Sequence, residues 1–201
     1  MLIHLGVTGI IKFIDAIDSK NIDKHDHYQI QLQDNKILKY NDVRKFGSIH
    51  WTKDIDNHFL IKNLGPEPLS KEFNGGFLKD KCRNRNVAIK NLIMNQSIIV
   101  GVGNIYACEA LYMSSIRPDK KCKYITLKQC DNLVKSIKYV LKKSIKSGGT
   151  TLKDFKTLDG SPGYFKQKLM IYDCKVCKCG MKVKNIKLGG RSSFYCNVCQ
   201  K

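Results

Sequence analysis

Nowhere in the 201 residues is there an uninterrupted apolar run of about 18 residues, so the sequence offers no membrane-spanning helix. The apolar opening, Met1-Leu-Ile-His-Leu-Gly-Val-Thr-Gly-Ile-Ile-Lys12, is broken by Gly6, Gly9 and Lys12. It also lacks the basic leader and small-residue cleavage site of a secretory signal. Internal repeats and low-complexity tracts are missing, which leaves one compact unit or two small domains. Acidic residues are scarce: 17 Asp and Glu stand against 36 Lys and Arg, for a net charge of +19. That excess points to nucleic acid or an anionic membrane surface. Lys, Ile and Asn are abundant throughout, so part of the charge is compositional bias. Cys82, Cys108, Cys122 and Cys130 are scattered without a pairing pattern, as reduced thiols in a cytosol would be.

What is present divides by periodicity. Residues 1 to about 61 alternate as strands do, and Asp34-Asn35 is a turn dipeptide between Ile30, Leu32 and Ile37, Leu38. The opening reads as one strand followed by another with no preceding turn or cap, so the expectation is a chain truncated at its start. Leu64-Gly-Pro-Glu-Pro-Leu-Ser70 punctuates the pattern and predicts a domain boundary. Beyond it the period turns helical. A short helix capped by Ser70 carries Phe73, Phe77 and Leu78, and a second holds Val87, Ile89, Leu92, Ile93 and Met94. A third runs from Ile105 to Ser115. Residues 127–146 give the longest, with Leu127, Cys130, Leu133, Val134, Ile137, Leu141 and Ile145 inward and a solvated stripe of Lys135, Lys138, Lys142 and Lys146. Thr150 to Phe165 reads as a long polar loop, functional or mobile.

Two patterns carry chemistry. The last 28 residues hold five of the nine cysteines in two clusters, Cys174, Cys177 and Cys179, then Cys196 and Cys199. Two C-x-x-C knuckles supply the four soft thiolates that tetrahedral zinc prefers. A disulfide pair or inert thiols is the competing reading. Spacing favours Cys174 with Cys177, and Cys179 competes for a place; Cys196 and Cys199 form the other pair. From Cys174 onward there are seven Lys/Arg and no Asp/Glu, so the predicted element is a structural zinc ribbon presenting cations to a polyanion. The second pattern is Gly101-Val-Gly-Asn104 at a helix start. Exposed backbone N–H groups and the helix dipole there make an anion pocket, with Asn104 as its expected N-cap. Alone it is most often only a tight turn. Arg83, Arg85 and Lys90 upstream and Arg191 at the tip of the ribbon hairpin give it weight.

Together these residues resemble the formamidopyrimidine-DNA glycosylase and endonuclease VIII family. The resemblance runs through His4-Leu-Gly, Lys24-His-Asp-His27, Arg44-Lys-Phe-Gly47, Leu64-Gly-Pro-Glu-Pro-Leu69, Val100-Gly-Val-Gly-Asn-Ile-Tyr-Ala107, Gly148-Gly-Thr-Thr-Leu-Lys-Asp-Phe155, Pro162-Gly-Tyr-Phe165 and the ribbon. It implies an α+β fold: a partial N-terminal β-sandwich (1–63), a helical helix–two-turn–helix domain with a lesion-capping loop (68–165) and a zinc-ribbon finger (166–201). It implies base-excision repair of oxidised purines such as 8-oxoguanine and formamidopyrimidines, with apurinic/apyrimidinic lyase cleavage. The implied partner is damaged double-stranded DNA, met by a monomer in a bacterial cytosol, with one structural Zn2+ and no membrane.

Roles follow by position. His25, Arg44, Arg85, Lys90, Asn104 and Tyr164 match DNA-contacting positions, with Lys90 and Asn104 on phosphates near the lesion. Arg44 and Phe46 match residues that fill the gap left by the flipped nucleotide. Thr150 to Tyr164 matches the loop over the everted base. Arg191 matches a catalytic arginine that holds phosphates beside the lesion and acts late in proton transfer. Three departures accompany the likeness. The family's nucleophilic N-terminal proline amine, adjacent glutamate and more distant lysine have no counterpart, since residue 2 is Leu. A non-catalytic, zinc-dependent DNA-binding fragment is therefore the alternative expectation, with an RNA-binding ribbon a weaker third. Val7 stands where the family has a methionine wedge, and the first knuckle has one cysteine too many.

Overall fold

The computed structural model describes residues 1–17, 22–149 and 169–201. By contact density the described residues form two compact units, one within residues 1–61 and the other from residues 62–147 with 169–201.

The described residues of the first unit form five short strands: β1 (Leu2–His4), β2 (Gly9–Asp15), β3 (Asp26–Gln31), β4 (Lys36–Asp42) and β5 (Ser48–His50). Asp34 and Asn35 sit at φ 68 and 54. Two consecutive left-handed residues match the twist of a tight hairpin, and Asn and Asp tolerate that region better than other side chains. The predicted turn therefore joins β3 to β4, with Ile30 opposite Leu38. β2 pairs on the far side of β4, from Gly9 opposite Asp42 to Asp15 opposite Lys36. The sheet order is β2-β4-β3, and β1 pairs separately with β5. As the central strand, β4 is buried at every residue after Lys36.

Among its described residues the second unit holds four α-helices: α1 (Gly75–Cys82), α2 (Ile89–Ile93), α3 (Asn104–Met113) and α4 (Leu127–Lys146). The start of α1 differs from the expected Ser70 cap. Asn74 caps it, its Oδ1 accepting the Phe77 N–H at 3.0 Å. Phe73 is fully buried, and sinking it in the bend ahead of the helix delays the first turn to a residue that caps as well as serine does. The Ser70 carbonyl instead accepts from Lys138 Nζ at 2.7 Å, so one lysine of the solvated stripe has a partner. α4 begins and ends where its periodicity predicts. Thr126 and Gln129 close a reciprocal capping box at its start. Leu127 and Ile145, read as inward, are exposed, and Val140 is buried in their stead. The core joins all four helices through Leu78, Ile93, Leu111, Ile125, Leu133 and Ile137. No helix among the described residues is long and apolar enough to cross a membrane.

A hairpin completes this unit: β6 (Lys184–Leu188) and β7 (Arg191–Tyr195) pair from Lys184 opposite Tyr195 to Leu188 opposite Arg191. Gly189 and Gly190, at φ 54 and 77, make the two-residue turn. Two buried polar side chains bind the ribbon to the helices. Glu109 on α3 accepts the N–H groups of Met170, Ile171 and Tyr172 at 2.8–2.9 Å. Gln200 accepts the Cys196 N–H at 2.9 Å and donates to the Ile116 carbonyl at 2.8 Å.

Candidate nucleic-acid interface and metal centre

In the first unit, the Arg44-Lys-Phe-Gly47 loop between β4 and β5 is organised by a residue the sequence did not single out. The Asp42 carboxylate is fully buried. It accepts from Thr8 Oγ1 at 2.5 Å, Tyr40 OH at 3.0 Å, the Arg44 N–H at 3.2 Å and the Gly47 N–H at 2.9 Å. These bonds, that from Thr8 foremost, hold its pKa well below the usual carboxylate range against the opposing effect of burial. Tyr40 shifts the other way, to about 12, through burial and its bond to Asp42. A Cβ on Gly47 would collide with the Tyr40 hydroxyl and crowd the His4 carbonyl, so this approach requires glycine. Lys45, at φ 55, turns the chain between them. The loop then presents Arg44 and Phe46 outward, the ring 59% exposed, with the guanidinium 4.9 Å above its centroid. His25, half-buried, precedes β3, and its carbonyl accepts the Asp42 N–H at 3.0 Å, so it lies at the same end of the sheet. Val7 is exposed and, with Thr8, Val43 and Arg44, lines a cavity of about 320 Å³.

In the second unit, Arg85 is exposed on the connection from α1 to α2, and Arg191 is exposed beside the β6–β7 turn. Asn104 is not the cap of α3. It is the first helical residue, after Gly103, and among the described residues no side chain caps the helix. The reason is Lys90, whose ammonium binds Asn104 Oδ1 at 2.5 Å and holds it away from the α3 backbone. The same ammonium donates to the Ser192 carbonyl at 2.9 Å and to Ser193 Oγ at 2.6 Å. Lys90 is fully buried, which lowers its pKa. Thus Lys90, Asn104 and the strand carrying Arg191 are brought together. Tyr164 and the Thr150 to Tyr164 loop lie outside the described residues.

The cysteine cluster corrects the sequence reading at one position. Cys177, Cys179, Cys196 and Cys199 bring their sulfurs within 4.8 Å of one another, and Cys174 is not among them. Val176 bridges to Lys182, and the Cys177 N–H donates to the Met181 carbonyl at 2.8 Å. This small hairpin places Cys177 and Cys179 at its tip and leaves Cys174 behind its open end. There the Cys174 thiol faces the Tyr172 carbonyl at 3.7 Å. The first knuckle is C-x-C, the second C-x-x-C. Sulfur separations of 3.8 Å (Cys177–Cys199) and 3.6 Å (Cys179–Cys196) are too long for disulfides. They match the roughly 3.8 Å edge of a sulfur tetrahedron around a zinc-sized ion. Burial opposes ionisation of Cys177. The Cys179 N–H, the Tyr112 hydroxyl and neighbouring thiols outweigh it and lower its pKa to about 6. The four thiols fit a soft divalent metal.

Asp42, Glu109 and Ser193 escaped the sequence reading because a buried polar residue is recognised by what it binds, and those partners are remote in sequence. An acid amid the inward residues Cys108, Leu111 and Tyr112 was the available sign for Glu109.

Known proteins bear on these features directly. Residues 1–49 match the formamidopyrimidine-DNA glycosylase N-terminal domain, and residues 64–156 match the formamidopyrimidine-DNA glycosylase H2TH domain. The formamidopyrimidine-DNA glycosylase of Glaesserella parasuis is 49% identical over 204 residues, covering 100% of this chain and 74% of the relative. That of Haemophilus influenzae is 47% identical over 201 residues, covering 98% and 73%. A Lactococcus lactis structure described as a complex with abasic-site DNA superposes with TM-score 0.87 at 33% identity, covering 99% of this chain and 74% of that one. The Thermus thermophilus protein gives TM-score 0.85 at 29% identity, with 98% and 74% covered. With residues 1–49 and 64–156 matched to the family's two domains and nearly half of its residues identical to the Glaesserella parasuis and Haemophilus influenzae proteins, the chain belongs to the formamidopyrimidine-DNA glycosylase family.

Proposed function

We propose that this chain works in base-excision repair as a DNA glycosylase and apurinic/apyrimidinic lyase on oxidised purines, 8-oxoguanine and formamidopyrimidines, in duplex DNA of a bacterial cytosol. The observation that carries the reading is the joining, through Lys90, of an uncapped helix start at Asn104 to the hairpin that bears Arg191. Backbone N–H groups at a helix start and an outward arginine on one framework suit a phosphodiester backbone.

A damaged base reaches an active site only by leaving the stack, which costs a few kcal/mol. Phe46, with Arg44 over its ring, is a planar apolar body that replaces the lost stacking, and the Asp42 bonds keep its loop ready-formed. His25, Arg85 and Asn104 match positions that contact the DNA. Tyr164 belongs to the cover of the everted base. Arg191 holds the phosphate beside the lesion and takes the late part in proton transfer that its matching position implies. Zinc is the metal we assign to Cys177, Cys179, Cys196 and Cys199, where it supplies folding free energy to the ribbon. Lys90 meets DNA only through Asn104, since its own donors are used internally.

The test is binding to duplexes that differ only in one 8-oxoguanine. Tighter binding to the oxidised duplex is expected. Equal affinity for the undamaged duplex sinks the reading.

A further inference from the structure

Lys90 has no exposed surface, a position that disfavours an ammonium unless its N–H groups all find acceptors. They do: Asn104 Oδ1 at 2.5 Å, the Ser192 carbonyl at 2.9 Å and Ser193 Oγ at 2.6 Å. The Cys108 thiol lies against the same nitrogen. An ammonium has three donors, so none remains for a ligand. No carboxylate is among these partners, and the Arg191 cation is close enough to oppose the charge on Lys90.

The consequence falls on Asn104. Lysine only donates, so the Asn104 atom facing it is the amide oxygen, and the amide nitrogen with its two N–H groups points the other way. A cation on the oxygen also polarises that amide and strengthens its donors. At the same time Ser192 and Ser193 fix the backbone next to Arg191. Gly189, at the hairpin turn, packs so close to the Asn91 amide that a Cβ there would meet it at 3.0 Å. The hairpin tip therefore rests on α2 as well.

We propose that Lys90 is a positioning residue, not a phosphate ligand: it holds the Asn104 amide with its N–H groups outward and locks the start of α3 to the base of the Arg191 hairpin, so both meet the DNA backbone as one preorganised surface. This rests on the DNA-repair reading above. Fixing donors before binding removes the entropy of ordering them afterwards, so the gain appears as affinity without any added contact.

The test measures affinity for a duplex with an abasic-site analogue across salt concentrations, for wild type, K90M, S193A, N104A and the K90M/N104A and S193A/N104A pairs. A lost phosphate contact lowers the slope of log affinity against log salt by about one. For K90M the expected result is about tenfold weaker binding with an unchanged slope, and a smaller further loss when N104A is already present, because the hold on the Arg191 hairpin is all that is left to lose. K90M leaves three buried acceptors unmatched, so S193A, which removes a single acceptor, guards against misfolding. It is expected to weaken binding about threefold with Asn104 present and by less than that in N104A. Losses that multiply, with a slope shallower by one in K90M, overturn the Lys90 assignment alone. A wild type that binds no duplex overturns both this assignment and the function beneath it.

Discussion

Asp42 gathers two hydroxyls and two backbone N–H groups around one buried carboxylate, and the loop that presents Arg44 and Phe46 hangs from those bonds. Asparagine in its place supplies one acceptor oxygen where the carboxylate supplies two. D42N should therefore loosen the loop and weaken binding to lesion DNA more than to intact duplex, read as the ratio of the two affinities. The pH dependence has a definite sign. The folded pKa of Asp42 is depressed below its ordinary 3.8, so its contribution is complete above that value and is lost as pH falls through the lower folded one. In acid titrations followed by circular dichroism, the wild type should lose stability below pH 3.8 more steeply than D42N. Identical acid limbs would contradict this.

At the scale of elements, the ribbon is held to the helices by a few buried polar groups. Glu109 offers its carboxylate to three successive N–H groups just ahead of the first knuckle. E109A strands all three donors, and about 3–5 kcal/mol of stability should be lost, measured as a shift of the urea midpoint. E109Q keeps one acceptor oxygen and should lose less. The first knuckle gives a second prediction. C179S should lose bound zinc, whereas C174S should keep one zinc per chain, because only Cys179 shares the cluster with Cys177, Cys196 and Cys199. Metal content after dialysis decides between them. Equal retention in both variants would return Cys174 to contention.

For the whole molecule the dominant quantity is charge. With 36 basic residues against 17 acidic, binding to DNA should release many counterions. A protein making six or more phosphate contacts loses on the order of a thousandfold in affinity between about 50 and 200 mM salt. A loss of that order is expected here, measured by fluorescence anisotropy on an undamaged duplex. Affinity that hardly changes with salt would show that the excess charge serves something other than DNA.

The sequence by itself determined the local elements and the chemistry available to them. The period of α4, the Asp34-Asn35 turn, the double glycine of the ribbon and the supply of thiols near the carboxyl end all depend on neighbours in the chain, and each was legible there. Only the tertiary structure decided which thiol was surplus, since C-x-x-C spacing favours Cys174 until the bridge between Val176 and Lys182 carries it out of reach. It decided where α1 begins, because the burial of Phe73 delays the first turn. It also turned Lys90 inward. A lysine near a glycine-rich helix start reads as a phosphate ligand from sequence, and only Ser192 and Ser193, about a hundred residues away, show that its donors are already engaged. Spacing along a chain sets what a side chain can do locally, whereas contacts between distant segments set what it is left free to do.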